Sequence, residues 1–308
     1  MNKGMKRLKL LSVALVATCL CACSSGGSGD PDNPTPTNPT QPNRLPISIS
    51  ANVVSRVTDT GFNNNDHIGL FMVNRSADGS AVALQSAGNQ VDNMLFTYNG
   101  TWSSYTPIYW KDETTHADFY IYYPFKSGIA DVTAMTFQAQ ADQSAEYRYK
   151  RSEILVGSAM NVAPTEEVVV INARHLMSQL VVSVVPGNGF TPEKLAAAEV
   201  AVKINQVKTK ALVNIGQGTV VATGDAASVT PLHTDGKYKA LIVPQTVEKT
   251  NLVTVTVDGR DYNLSKAFTF ESGKSYQMTV TVNKTSNGIN VNITKWNSDG
   301  TDYGGIAE

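Results

Sequence analysis

Short runs in which apolar and polar residues alternate follow residue 46, and they limit the folds open to this chain. In Ile47–Val54 the apolar Ile47, Ile49, Ala51 and Val53 alternate with polar or small residues, which is the period of a half-buried strand. His67–Val73 is apolar on both faces, as in a central strand. No long segment has the 3.6-residue period of a helix, so the pattern predicts an all-β fold.

Comparable runs recur to the end of the chain, separated by turn-like stretches. They occupy residues 94–98, 118–123, 132–137, 153–157, 166–172, 179–185, 199–204, 209–215, 238–243, 252–257, 267–270 and 276–282. Asp258-Gly259 predicts a tight hairpin turn, since both positions tolerate positive φ. One helix is predicted, from Pro192 to Ala198, because Thr191 can cap it and proline suits its first turn. We predict two tandem β-sandwich domains, 47–163 and 164–308, divided at Pro164.

The first residues have the composition of a secretory signal. Lys3, Lys6, Arg7 and Lys9 form a basic head, and an apolar run from Leu10 to Leu20 follows it. This run is too short to span a bilayer as a permanent helix. Residues 1–22 are therefore predicted to be a signal peptide.

The end of this leader, Leu20-Cys21-Ala22-Cys23-Ser24, resembles the lipobox of bacterial lipoproteins. That resemblance implies that Cys23 becomes an N-terminus carrying acyl chains such as palmitate. Cys19 and Cys21 would leave with the leader, so the mature chain would have one cysteine and no internal disulfide. Cleavage by an ordinary signal peptidase, which would leave a free thiol, and a plain membrane anchor are the alternatives.

Residues 23–46 have almost no apolar side chain and contain prolines at positions 31, 34, 36, 39, 42 and 46. Such a composition cannot bury enough surface to offset the entropy of ordering. A flexible tether is predicted here, able to hold a domain some tens of ångströms from a membrane.

Charge and motif content exclude several classes of function. The chain has 25 basic and 26 acidic residues, and the leader carries four of the basic ones, so the mature chain is acidic and not suited to nucleic acid. The histidines at positions 67, 116, 175 and 233 have no metal-ligand spacing, and phosphate loops and nucleophile elbows are missing from the sequence. No enzyme activity, cofactor or metal is expected.

Two polar or aromatic clusters have a possible binding role. Residues 98–123 concentrate aromatic side chains, among them Trp102 and Trp110, and aromatic faces beside hydroxyls suit sugar stacking. The competing interpretation, that these rings fill the sandwich and its rim, is favoured by the strand alternation of Phe119, Ile121 and Tyr123. The segment Asn63–Asp66 has one carboxylate, which is too few for a calcium site and typical of a surface turn.

The succession of blocks along the chain resembles fimbrillin-like lipoproteins, the subunits of type V pili and their relatives. The blocks are FNNNDHIGLFMV (62–73), PIYW (107–110), DFYIYYP (118–124), HLMSQLVV (175–182), ALIVPQ (240–245), residues 268–276 and ITKW (293–296). The resemblance implies two transthyretin-like β-sandwiches, export as a lipoprotein to the outer membrane surface, and a place in a fimbrium that contributes to adhesion.

In that family the pilus subunits lose an N-terminal strand to a protease that cuts after arginine, and a strand from the next subunit replaces it. Arg56, just past the first alternating run, is the predicted processing site here, and Arg44 in the tether is the second candidate. The polar end at 297–308 is a weak donor strand, so 288–294 is the predicted donor.

Three roles follow from the sequence: a structural, accessory or tip subunit of a pilus; a tethered module that binds a glycan or host protein; and a pilus anchor that is never cleaved. The first of them is the principal hypothesis.

Overall fold

The structure is a computed structural model that describes residues 44–53 and 61–283 in full and the backbone of 289–295. Nearly all of it is β-structure. The strands are β1 (Ile49–Val53), β2 (His67–Asn74), β3 (Val91–Tyr98), β4 (Trp102–Ser103), β5 (Ala117–Tyr123), β6 (Met135–Gln138), β7 (Leu155–Val162), β8 (Val169–His175), β9 (Ser178–Pro186), β10 (Val200–Asn214), β11 (Thr219–Val229), β12 (Leu232–Thr234), β13 (Lys237–Ile242), β14 (Gln245–Val257), β15 (Arg260–Phe270), β16 (Ser275–Val282) and β17 (Ile289–Lys295).

Two short helices complete the described part of the chain, α1 (Glu146–Lys150) and α2 (Pro192–Ala197). The helix predicted from Pro192 is confirmed, and the Thr191 hydroxyl accepts a hydrogen bond from the Lys194 N–H. The hairpin at Asp258-Gly259 is confirmed as well, since both residues have positive φ between β14 and β15. None of the described helices is long and apolar enough to cross a membrane.

The first sheet has seven strands in the order β1-β8-β7-β5-β2-β3-β4. β2, predicted to be central, lies between β5 and β3, and its residues Ile68 to Val73 are all buried. On one face, side chains that include Ile49, Leu70, Phe119 and Ile171 form what we call the first core. Burial of both faces explains why the runs in β2 and β5 are continuously apolar.

The second half of the chain forms a β-sandwich. One layer has the order β11-β10-β14-β15, with β6 also paired to β10, and the other has the order β12-β13-β9-β16-β17. Between them lies the second core, which contains Leu180, Val255, Phe270 and Met278. β10 is one strand where two runs, 199–204 and 209–215, were predicted. It continues through Gln206, which has positive φ, because its pairing with β11 shifts register between Ile204 and Val207.

A third group of buried side chains joins the two halves, and we call it the joining core. It brings Phe71 and Tyr120 from the first sheet against Val213 from β10 and Leu241 from β13. The outer face of the first sheet is therefore covered by the second half of the chain.

The division predicted at Pro164 does not coincide with the division between sheets. β8 follows Pro164 but pairs in the first sheet, whereas β6 precedes it but pairs with β10. The described residues before and after it all fall within one unit, 43–308.

Gly69 in β2 provides a test of how tightly the joining core is packed. A Cβ there would collide with the ring of Tyr122, which is 1% exposed and whose hydroxyl contacts Asn93 Oδ1 at 2.7 Å. We expect Gly69→Ala to lower the free energy of unfolding by about 1–3 kcal/mol, as overpacking does. Urea unfolding measures it.

Gly128→Ala is the matched control, because a Cβ at Gly128 meets nothing within 4 Å. Equal stabilities of the two variants would contradict the packing described around Tyr122.

Candidate functional site: the first strand and the closure of the first core

The segment that enters β1 closes the first core before the strand begins. The Ile47 N–H donates to Ile108 O at 2.9 Å, and the Trp110 N–H donates to Leu45 O at 3.0 Å. Pro46 forms an antiparallel bridge with Tyr109 between these bonds. Residues 45–47 therefore pair with 108–110, on a segment that follows β4 at the opposite edge of the sheet.

Among the described strands, β1 is an edge strand that pairs with β8 alone. The pairing is parallel, from Ile49 opposite Val169 to Val53 opposite Ala173. Parallel strands need a long connection between them, and here the first sheet's other strands lie in that connection. Losing β1 would leave the β8 edge without its ladder bonds.

The predicted alternation of this strand is confirmed. Ile47, Ile49 and Ala51 are 8%, 5% and 7% exposed and contribute to the first core, whereas Asn52 faces solvent. Burying a large aliphatic side chain is worth roughly 1.5–3 kcal/mol, so the two isoleucines together contribute roughly 3–6 kcal/mol. This is a large part of the stability of an ordinary domain.

A cavity of about 70 Å³ lies at the end of β1, beside Val53, Phe62, Asp66, Tyr123 and His175. The Tyr123 hydroxyl donates to Asp66 Oδ1 at 3.3 Å. Burial raises the pKa of Tyr123, and the Asp66 carboxylate raises it further, so Tyr123 remains a donor at neutral pH. The cavity is well below the roughly 300 Å³ of a small-molecule site.

Trp102 and Trp110 are part of the first core. Trp110 is 1% exposed, its Nε1 donates to Thr165 O at 3.1 Å, and its ring meets Phe119 edge-on at 5.5 Å. Trp102 is 8% exposed and packs on Phe62 with ring centroids 4.8 Å apart. Neither ring turns an open face to solvent, so the stacking of a glycan on these two tryptophans does not fit the structure.

Arg44 is exposed and immediately precedes the pairing of Leu45 with Trp110. A cut after Arg44 would leave that pairing and β1 in place. Cys23 and Arg56 lie outside the described residues, and their predicted roles stay predictions.

Three of the four histidines have contacts that account for their positions. His175 Nδ1 lies 2.8 Å from Glu153 Oε2, His116 Nδ1 lies 3.0 Å from Asn161 Oδ1, and the His233 ring stacks on Tyr238 at 4.4 Å. In the part of the chain that the structure describes, no three His, Cys, Asp or Glu side chains gather as metal ligands would.

The sequence did not reveal the partners of the N-terminal segment. Two alternating patterns were a signal for inward-facing strands. Buried Ile108 and Trp110 flank exposed Tyr109, and buried Val169, Ile171 and Ala173 alternate with exposed neighbours. Nothing local indicates that both strands pair with residues 45–53.

The fold and this site define a class of protein: an all-β chain whose first core is completed by its N-terminal edge strand. Residues 55–296 match the fimbrillin-like family. The chain belongs to the fimbrillin-like family. This is a family of fimbrial structural proteins and not of enzymes.

Individual relatives agree with this assignment. Fim1C of Bacteroides uniformis, named as a candidate fimbrium subunit, is 24% identical over 254 residues, which are 79% of this chain and 81% of Fim1C.

Two crystal structures of candidate cell adhesion proteins share the fold. The one from Bacteroides uniformis has a TM-score of 0.63 at 21% identity and covers 82% of this chain and 99% of its own. The one from Bacteroides ovatus has a TM-score of 0.65 at 18% identity, and the match covers 83% of this chain and 99% of the other.

Ile49→Ala tests the contribution of β1 to the first core. We expect the free energy of unfolding to fall by about 2–5 kcal/mol, because a buried aliphatic side chain is removed from a packed site. Chemical denaturation followed by tryptophan fluorescence is a suitable measurement, since Trp102 and Trp110 lie in the same core.

Asn52→Ala is the control on the same strand, and its exposed side chain predicts a change within about 0.5 kcal/mol. If Ile49→Ala were as mild as Asn52→Ala, β1 would not be packed as described.

Proposed function

We propose that this chain is a surface-exposed subunit of a type V fimbrium, in a structural, accessory or tip position, assembled by strand exchange and contributing to adhesion. The observation that supports this most strongly is the position of β1. Among the described strands it pairs with β8 alone, and the apolar side chains of β1 help to complete the first core. Such a strand can be replaced by a strand from another subunit, which is β-augmentation used for polymerisation.

The two candidate processing sites have different physical outcomes. A cut after Arg44 frees the chain from its tether and leaves β1 in the sheet. A cut after Arg56 separates Ile47, Ile49 and Ala51 from the rest of the chain and, once they dissociate, leaves a groove beside Val169 and Ile171 with unpaired backbone groups. That groove would have a high affinity for a replacement strand.

The donor that we propose is 288–294, most of which lies in β17. In the part of the chain that the structure describes, β17 is an edge strand and pairs with β16 alone. Ile289, Val291 and Ile293 alternate with asparagine and threonine, which is the pattern that an inward-facing strand in the first core requires.

Cleavage at Arg56 is tested with purified protein treated with an arginine-specific protease. We expect an N-terminus at Val57 by mass spectrometry, and filaments by electron microscopy after cleavage. Arg56→Ala protein should stay monomeric under the same treatment, because β1 keeps occupying the groove.

Arg44→Ala is the matched control and should polymerise like the unchanged chain. Filaments formed equally well by Arg56→Ala protein, or by cleaved protein that begins at Leu45, would reject the role of Arg56.

Attachment to the outer membrane through Cys23 is the second part of the proposal. Each buried CH₂ of an acyl chain contributes about 0.8 kcal/mol, so two or three chains make attachment effectively permanent. We expect Cys23→Ser to release the protein from the membrane fraction, as measured by immunoblotting after fractionation and a high-salt wash. Cys21→Ser is the control, because Cys21 lies in the leader. Retention of Cys23→Ser in the membrane would contradict the lipid anchor.

Two alternatives are separated by the state of the N-terminus on the native surface. A lipidated Cys23 on the protein within fimbriae would indicate an uncleaved anchor. Lipidated protein that is absent from fimbriae but binds a glycan or a host protein would indicate a tethered binding module.

A further inference from the structure

Two surface clefts meet at Arg174 on β8 and form one groove. The first, of about 340 Å³, lies between β7, β8 and the turn of residues 216–218. The second, of about 530 Å³, continues from Arg174 to the turn at Ser272, Gly273 and Lys274. Arg174 and Gly218 line both clefts. This groove, which we call the Arg174 groove, begins where the pairing of β1 with β8 ends, since Ala173, the partner of Val53, also lines it.

The Arg174 groove has a positive electrostatic character. Arg174 and Lys274 line it, and neither lining set contains an aspartate or glutamate. Arg174 and Lys274 are exposed, and neither forms an ion pair with any carboxylate in the described ranges 44–53 and 61–283. An acidic occupant would meet two cations and no carboxylate among the lining residues.

The Arg174 guanidinium is held in position by the groove wall. Its Nη2 donates to Gly218 O at 2.7 Å, and a Cβ on Gly218, where φ is +64°, would lie 2.5 Å from Nη2. Glycine is therefore required at this turn. On the opposite side, a Cβ on Gly273 would lie 3.1 Å from His175 O, so backbone forms both walls and an extended chain can approach closely.

The chain leaves β17 beside this groove. Lys295, the last residue of β17, is paired with Tyr276, two residues after Lys274. Residues 296–308 follow, and these 13 residues include Asp299, Asp302 and Glu308 and no lysine or arginine. At about 3.3 Å per residue they extend up to about 40 Å.

We propose that the acidic segment 296–308 docks in the Arg174 groove of its own chain. Complementary charge, the point at which the segment leaves β17 and the glycine content of both the segment and the walls support this assignment. An attached segment has an effective concentration on the order of millimolar, so weak contacts are enough to keep it bound. This docking assigns a role to a segment that is poorly suited to be a donor strand, and it does not depend on the proposed fimbrial assembly.

Cysteine cross-linking tests the docking in the full chain with Cys19, Cys21 and Cys23 replaced by serine. Lys274→Cys is combined with Asp299→Cys or with Asp302→Cys, and mild oxidation is followed by mass spectrometry of peptides and by non-reducing gels. A disulfide needs Cα atoms about 4.4–6.8 Å apart. We expect an intramolecular disulfide in at least one of the two pairs.

Lys237→Cys is the matched control for Lys274→Cys. It is an exposed lysine of the same sheet that lies outside the groove lining, next to Tyr238, which pairs with Val182, whereas Lys274 O accepts a hydrogen bond from the Gln179 N–H. Cross-links no more frequent than with Lys237→Cys would overturn the docking. Disulfide-linked dimers as the main product would overturn docking within one chain and indicate a second copy as the occupant.

Hydrogen exchange gives a second measurement with the native groove. Asp299→Asn together with Asp302→Asn should make the amides of 216–219 and 272–274 exchange about twofold to fivefold faster, as expected for lost exposed ion pairs. Salt at 1 M should have the same effect on the unchanged chain, because it reduces the Debye length to about 3 Å. Glu248→Gln, an exposed change elsewhere, is the control. Unchanged exchange in the double variant would overturn the proposal.

Discussion

The pairing of residues 45–53 with two separate segments is the interaction on which the first half of the structure depends. On one side β1 continues the sheet through β8, and on the other residues 45–47 bond to 108–110 near the opposite edge. A twisted sheet of seven strands would otherwise leave the apolar side chains of its inner face uncovered. One short segment therefore supplies side chains to the first core and bonds both to β8 at one edge of the sheet and to residues 108–110, which follow β4 at the other.

The second half of the chain covers the other face of that sheet. The sandwich around the second core has its own two layers, but Phe71 and Tyr120 of the first sheet pack against Val213 and Leu241. The segment before α1 strengthens this junction, because the Gln143 side chain bonds to both the N–H and the O of Leu241, at 2.8 Å each. The two halves are consequently parts of one folded body and depend on each other's side chains.

Features with a local signal could be predicted from the sequence, and long-range pairings could not. The inward face of β1, the central position of β2, the α2 cap and the turn at Asp258 follow from patterns of a few residues. β11 was missed because Gly224, at positive φ, and Asp225 interrupt its alternation. The burial of Trp102 and Trp110 depends on strands that lie far away in sequence. Residue type alone could therefore not decide between a sugar platform and a core.

The parallel pairing of β1 with β8 also determines the order in which the chain can fold. Ile49 and Val169 are about 120 residues apart, so β1 is synthesised long before its partner. Its apolar face has no sheet to pack in until β8 is available, and contacts between such distant residues form slowly. A strand in this state is exposed to contacts with other chains. Because β1 is held by a strand far away in sequence and not by its neighbours in the chain, it would also be easy to exchange after folding.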